Sequence, residues 1–279
     1  MIKNKQRNLK VGVFDSGVGG LSVLRTIRKA LPDVDLLFFA DQAHVPYGKR
    51  PLEEIRTFSE QITMFLLSQD VDMVVVACNT ASAAALKYLR STFPSTPIVG
   101  MEPAVKPAAE RSRTRAVGVL ATPATFQGEL YQSLVHKYGE GLQIEQDTCA
   151  GLVEQIENGN LNGTETRQIL EKALQPMLEK QVDTVVLGCT HYPFILPLIQ
   201  KIAGDKITVI DPAPAVARRV RSLAVTEFNY HTSTERIGNI IFYTSGTTTL
   251  FEQQIQSLLG YRGEVKQLKW QEGSLHKNF

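Results

Sequence analysis

The chain has 279 residues, 43% of them apolar and 21% charged, with 30 Lys and Arg against 28 Asp and Glu. That size predicts two domains or one large one. The composition excludes a disordered chain, a broad basic nucleic-acid binder and an acidic tail protein. Three cysteines are odd in number and too few for a disulfide scaffold, so they read as reduced thiols in a cytoplasmic protein.

The N-terminus is basic, but the first apolar run, Val11 to Phe14, is too short for a signal peptide. The short stretch before Val11 leaves little room for an added regulatory segment. Val11 to Phe14 reads as a strand. A glycine turn follows it, then Leu21, Leu24, Ile27 and Leu31 at helical spacing. Asp35 to Ala40 is a second strand. Val71 to Ala77 is a third, followed by an Ala-rich helix from Ser82 to Leu89. Its apolar core, Met73 to Ala77, is far short of the roughly 20 residues of a membrane helix. Ile98 to Met101 and Ala116 to Leu120 continue the series. Asn162-Gly163-Thr164 matches a glycosylation sequon and reads as a turn. Val182 to Gly188 and Ile207 to Ile210 are the next strands. The tail from about Ala215 carries a helix (Val216 to Leu223), a strand (Ile237 to Tyr243) and a helix (Leu250 to Leu258). Apolar strands alternating with helices predict an α/β fold with mostly parallel sheet covered on both faces. Ligands then bind at the carboxyl ends of the strands.

The chain repeats itself. Val71 to Thr80 aligns with Val182 to His191, Val11 to Ser16 with Val117 to Thr122, and Glu102-Pro103-Ala104 with Asp211-Pro212-Ala213. Three matches in one order at nearly one offset predict a duplication. The expected architecture is two similar parallel-sheet αβα domains with the active site in the cleft between them. Residues 1–102 and 215–279 form the first, with the tail packed back on it, and residues 103–214 form the second.

The repeat sets Cys78 and Cys189 at equivalent strand ends, each before polar residues, Asn79-Thr80 and Thr190-His191. A thiol at a helix N-terminus has a lowered pKa, and the same amides bind carboxylates. Each half thus offers a candidate thiolate base and an anion site. A racemase needs one acid/base group on each face of Cα. Neither cysteine has a metal-ligand spacing, so no metal is expected, and Cys149 reads as an incidental thiol. The Asp15-Ser-Gly-Val-Gly-Gly-Leu-Ser22 loop fails the dinucleotide spacing, because Ser22 stands at the third glycine position. It reads as a tight turn exposing Asp15 and Ser16. Tyr47-Gly48 could line a pocket, and His191 could pair with Cys189. His136, His231 and His276 read as surface.

Phe14-Asp-Ser-Gly-Val-Gly-Gly-Leu-Ser-Val, Val45-Pro-Tyr-Gly48, Val76-Ala-Cys-Asn-Thr-Ala-Ser82 and Leu187-Gly-Cys-Thr-His-Tyr-Pro193 resemble the signature blocks of bacterial glutamate racemases. Pro97-Ile-Val-Gly-Met-Glu-Pro-Ala-Val-Lys-Pro107 resembles that family's interdomain segment, and the likeness runs from about Val11 to Arg219. The resemblance implies cofactor-independent interconversion of L- and D-glutamate, supplying D-glutamate for peptidoglycan and hence for cell-wall biogenesis and cell shape. It also implies a cytoplasmic homodimer with a small-molecule substrate and neither nucleic acid nor membrane as partner. It makes Cys78 the thiol acting on the D-enantiomer and Cys189 the one acting on the L-enantiomer, with Asp15 and His191 assisting. Asp15, Ser16, Tyr47, Gly48, Asn79, Thr80, Thr190 and His191 would hold the substrate. The family's further acidic residue falls at Glu157 by spacing, with Glu154 competing. The family's Thr-x-Gly-Thr turn reads Thr122-Pro-Ala-Thr125, without the glycine. On the residues alone three other readings stay open: a racemase for aspartate or another amino acid, a binding protein for acidic amino acids, and a thiol hydrolase.

Overall fold

The computed structural model describes residues 8–233 and 236–277. Residues 1–7, part of the basic N-terminus, lie outside them. In chain order the first half holds β1 (Lys10–Asp15), α1 (Leu21–Ala30), β2 (Asp35–Ala40), α2 (Leu52–Ser68), β3 (Met73–Val76), α3 (Asn79–Thr92) and β4 (Ile98–Gly100). The second half holds α4 (Val105–Arg111), β5 (Ala116–Ala121), α5 (Pro123–Gln127), α6 (Glu129–Tyr138), β6 (Gln143–Asp147), α7 (Leu152–Glu157), α8 (Thr164–Glu179), β7 (Thr184–Gly188), α9 (Leu196–Ala203) and β8 (Thr208–Ile210). The tail adds α10 (Ala213–Phe228), β9 (Ile240–Thr244), α11 (Thr248–Leu259), β10 (Val265–Gln271) and β11 (Ser274–Lys277).

The strands form two sheets, ordered β11-β10-β9-β2-β1-β3-β4 and β6-β5-β7-β8. The duplication is visible here: β2-β1-β3-β4 in one sheet corresponds to β6-β5-β7-β8 in the other. All pairings are parallel except the β10–β11 hairpin. β9 pairs with β2, so the tail's strands extend the first sheet.

Local sequence explains most elements. β1 and β2 each bury five of six residues, as central parallel strands do. Ile55, Phe58, Ser59, Ile62 and Leu66 make the buried stripe of α2 at helical spacing. In the last turn of α1 stands Arg28, whose guanidinium donates to the Pro32 and Val34 carbonyls at 2.6 and 2.8 Å. One apolar cluster runs from Val13 and Phe38 of the first sheet to Leu187 of the second and Ile199 on α9, so the two sheets share a core. None of the described helices is long and apolar enough to cross a membrane.

Three expectations need correction. The strand read from Ile237 begins only at Ile240, and Ile237 is 80% exposed. Arg236 and the Asn239 amide instead bind Asp35, and Gly238 donates to the Pro32 carbonyl, so this stretch crosses the entrance of β2 before joining the ladder. The helices read at Ser82–Leu89 and Val216–Leu223 are longer, Asn79–Thr92 and Ala213–Phe228. Strands β6 and β10 escaped the pattern because they lie at or near sheet edges. β6 carries only one apolar residue, Ile144, and β10 buries fully only Leu268.

Phe38 is fully buried, with ring centroids 6.3 Å from Phe242 and 6.2 Å from Phe251. It ties β2 to the tail. Phe38→Ala is expected to destabilise the fold by about 3–5 kcal/mol in urea unfolding. A loss under 1 kcal/mol would mean the tail is not docked there.

Candidate active site

The carboxyl ends of the two sheets face each other. β1 ends at Asp15, β3 runs through Ala77 into Cys78, β5 runs into Thr122 and β7 into Cys189. A narrow cleft, with a cavity volume of only about 10 Å³, lies between them. Ser16, Tyr47, Gly48, Cys78, Asn79 and Thr80 line one wall, and Cys189, Thr190 and His191 the other. Both thiols are more than nine-tenths buried. Asp15 stands behind the wall. It accepts the Gly17 amide at 3.0 Å and the Thr190 hydroxyl at 3.2 Å.

Direct bonds tie the walls together. The Ser22 hydroxyl donates to the Thr190 carbonyl at 2.9 Å, and the Thr80 and Thr122 hydroxyls lie 2.8 Å apart. The Val18 amide donates to Glu157 Oε1 at 2.8 Å. The same oxygen lies 2.6 Å from His191 Nε2. This contact explains the glycine loop. A Cβ on Gly17 would fall 1.9 Å from Glu157 Oε1, and one on Gly19 would fall 2.4 Å from His191 Nδ1. The opposite wall occupies the space that a side chain would need.

Glu154, the competing acid, instead pairs at the protein surface with Lys49, at 2.5 Å. Exposed pairs of this kind contribute little. Tyr47 is held from behind: its hydroxyl donates to Asp41 at 2.6 Å. Asp41 is fully buried and also receives Ser245 and Trp270, both at 2.7 Å. His136, His231 and His276 are exposed, as expected of surface histidines.

The electrostatics differ from the helix-end expectation. Cys78 does cap α3, and its Sγ accepts the Ala81 amide at 3.4 Å. Yet the thiol is raised well above its ordinary pKa. Burial is the main cause and the Asp15 carboxyl adds to it, while the Ala81 amide and Ser16 hydroxyl pull the other way and lose. One long bond to sulfur does not offset full desolvation. Cys189 begins no α-helix; a single turn of 3-10 helix, Tyr192–Ile195, precedes α9. Asp15 is also raised, by burial, against the lowering effects of His191 and the Gly17 and Gly20 amides. For His191, burial disfavours charge, but the Cys189 thiol at 3.7 Å and the Glu157 carboxylate outweigh it. Its pKa is pushed well above the ordinary imidazole value. The imidazolium then has one N–H for each partner.

Asn79 is 3% exposed, and neither end of its side-chain amide has a hydrogen-bond partner. Such a group costs roughly 1–3 kcal/mol unless something polar meets it. Among the described residues no group of three or more His, Cys, Asp or Glu is arranged to hold a metal. Pro46, Thr122 and Val153 also line the cleft and were not read from sequence. Thr122 carried a signal, since the repeat aligns it with Ser16. Val153 had none; α7 brings it in from residues far along the chain.

A model of the Asp/Glu/Hydantoin racemase family matches residues 11–220. The chain belongs to that family. Within it, the glutamate racemase of Roseiflexus sp. is 46% identical over 248 residues, covering 89% of this chain and 91% of its own. Two solved racemases have the same fold. Escherichia coli glutamate racemase, in complex with L-glutamate and the activator UDP-MurNAc-ala, superposes with a TM-score of 0.82 at 32% identity, covering 97% of this chain and 100% of its own. Francisella tularensis glutamate racemase, in complex with D-glutamate, superposes with a TM-score of 0.80 at 29% identity, covering 93% and 97%.

The raised His191 value gives this racemase-family chain a signed pH dependence. The stabilisation from His191 is complete below about pH 6.5, the unfolded value, and is lost as pH rises through the higher folded value. Urea unfolding is therefore expected to show a steeper loss of stability from neutral to alkaline pH in the parent than in His191→Gln. Equal slopes would mean that the imidazole is neutral in the folded protein.

Proposed function

We propose that this chain is a glutamate racemase that moves the Cα proton with two thiols and no organic cofactor. The observation that carries the reading is one cysteine from each sheet on the walls of a single buried cleft. Two relatives that share this fold hold D- and L-glutamate in their solved structures, which supports glutamate as the substrate.

Cys78 as thiolate takes the Cα proton of D-glutamate, and the electron pair stays on the Cα–carboxylate unit. Cys189 as thiol gives its proton to the opposite face, and L-glutamate results. The reverse reaction exchanges the roles. Because Cys78 is raised by burial, its thiolate forms only as its proton leaves, and Asp15 is the neighbouring carboxylate that accepts it. On the other side His191, charged between Cys189 and Glu157, returns or holds the proton. The unpartnered Asn79 amide and the first amides of α3 meet the substrate's polar groups. Ser16, Tyr47, Gly48, Thr80 and Thr190 complete the grip. Charge developing on the substrate carboxylate is met by fixed donors in a dry site, where they count most.

We further infer that the units drawn from the repeat, 1–102 with 215–279 and 103–214, are the two bodies that hold the amino acid between them. A cytoplasmic homodimer supplying D-glutamate for peptidoglycan fits this activity.

In D₂O, L-glutamate should yield D-glutamate carrying one Cα deuteron, with no dependence on added pyridoxal phosphate. Cys78→Ala and Cys189→Ala should each cut kcat by at least about a thousandfold, as for loss of an aligned acid–base group. Substantial turnover in either variant, or product without deuterium, would overturn the two-thiol reading. Faster turnover of aspartate than of glutamate would overturn the substrate.

A further inference from the structure

A line of side-chain hydrogen bonds runs from the tail to the cleft without touching the substrate groups. Thr244, buried at the end of β9, donates its hydroxyl to Gln42 Oε1 at 2.8 Å. Gln42 Nε2 donates to Gln254 Oε1 at 2.7 Å. Gln254 Nε2 donates to the main-chain carbonyl of Glu157 at 2.7 Å. Each amide accepts on oxygen and donates on nitrogen, so the line has one direction. Gln254 is 8% exposed and sits on the buried face of α11 beside Phe251 and Ile255. A polar group buried among apolar neighbours is stable only when both ends are satisfied, and here both are.

Glu157 is the last residue of α7, where carbonyls lack partners within the helix. Gln254 supplies its carbonyl with a donor from another element. The carboxylate of the same residue is held by the Val18 amide and His191. The residue is thus gripped at both its backbone and its side chain. Gln254 lies beyond residues 11–220, the stretch matched by the family model.

We propose that Gln254, oriented by Gln42, is a positioning residue that fixes the Glu157 carboxylate against His191. Its effect on turnover rests on the racemase reading; its effect on His191 does not. The charged and titratable groups acting on His191 are Glu157 and Cys189, which it contacts, and Asp15 and Glu154, which act at longer range. Of these, only Glu157 is bonded to Gln254. Glu154 is on the same helix but is paired with Lys49. Losing the Gln254 donor leaves a carbonyl at the end of α7 unpaired and frees the helix end to shift. The ion pair at His191 then loosens, and the imidazole gives up its second proton more readily.

The test uses the full-length protein with ¹⁵N-labelled histidine, and His191 is assigned from the His191→Gln spectrum. In Gln254→Met, which keeps the length and apolar packing but has no N–H, the His191 titration midpoint should fall toward the ordinary imidazole value. The other histidines should not move. Gln42→Leu should move His191 in the same direction and less. In a Glu157→Gln background, adding Gln254→Met should give no further change. With glutamate as substrate, kcat/KM should fall about tenfold, part of the roughly 10²–10⁴-fold that an aligned acid–base group contributes. Its alkaline limb should move to lower pH. An unmoved His191 midpoint in a folded Gln254→Met protein overturns the proposal. So does an equal further shift in the Glu157→Gln background, because Gln254 would then act by another route. If Gln254→Met does not fold, Gln42→Leu decides by the same midpoint. A parent protein that turns over no glutamate overturns the racemase reading and leaves the histidine measurement valid.

Discussion

One oxygen atom joins the two sheets at the cleft. Oε1 of Glu157 accepts the Val18 amide at 2.8 Å from the loop after β1 and lies 2.6 Å from His191 on the loop after β7. The Glu157 side chain is 11% exposed and that of His191 3%. Removing one partner from a pair this buried leaves an uncompensated charge, at a cost on the order of 3–5 kcal/mol. The bare backbone at Gly17 and Gly19 is what allows the approach. The geometry of both walls depends on this contact: Thr190 reaches Asp15, and Ser22 reaches the Thr190 carbonyl, only because the loops meet this closely.

The duplicated core explains why two thiols can face one space. Equivalent strands β3 and β7 occupy equivalent positions in two sheets of the same order. With the carboxyl ends opposed, whatever follows those strands lines both walls. The tail breaks this symmetry and supports each wall from behind. Ser245 and Trp270 hold Asp41, which holds Tyr47, and Gln254 holds the backbone of Glu157. The hydrogen bonds that orient cleft groups therefore reach well past the repeated core.

Burial sets the electrical character of the cleft. It raises Cys78 and Asp15 against the nearby amides, and it leaves the Asn79 amide without a partner. Near neutral pH the raised Asp15 and the unpartnered Asn79 amide each cost stability, whereas Cys78 is a neutral thiol folded or unfolded and does not. Features that oppose folding and gather in one cleft mark a site shaped for a ligand. His191 is the exception, because a thiol and a carboxylate lie on its two nitrogens and outweigh desolvation.

The amino-acid sequence by itself determined the alternation of strand and helix, the duplication and the pairing of Cys78 with Cys189. Those signals are local: a run of Val and Ile, a stripe at helical spacing, a motif repeated with similar wording. Strands β6, at a sheet edge, and β10, one strand in from an edge, were illegible because neither carries an apolar run. The crossing at 236–239 was missed because its bonds go to Asp35 and Pro32, about 200 residues earlier. Sequence also misjudged the Cys78 thiol, since a helix end is visible in the chain but full desolvation is not. Only the tertiary structure decided which acid meets His191, why the loop needs Gly17 and Gly19, and that Gln42 and Gln254 stand behind Glu157. The contacts behind these outcomes join residues from 34 to 212 positions apart, so tertiary packing rather than any local pattern brings them within a hydrogen bond.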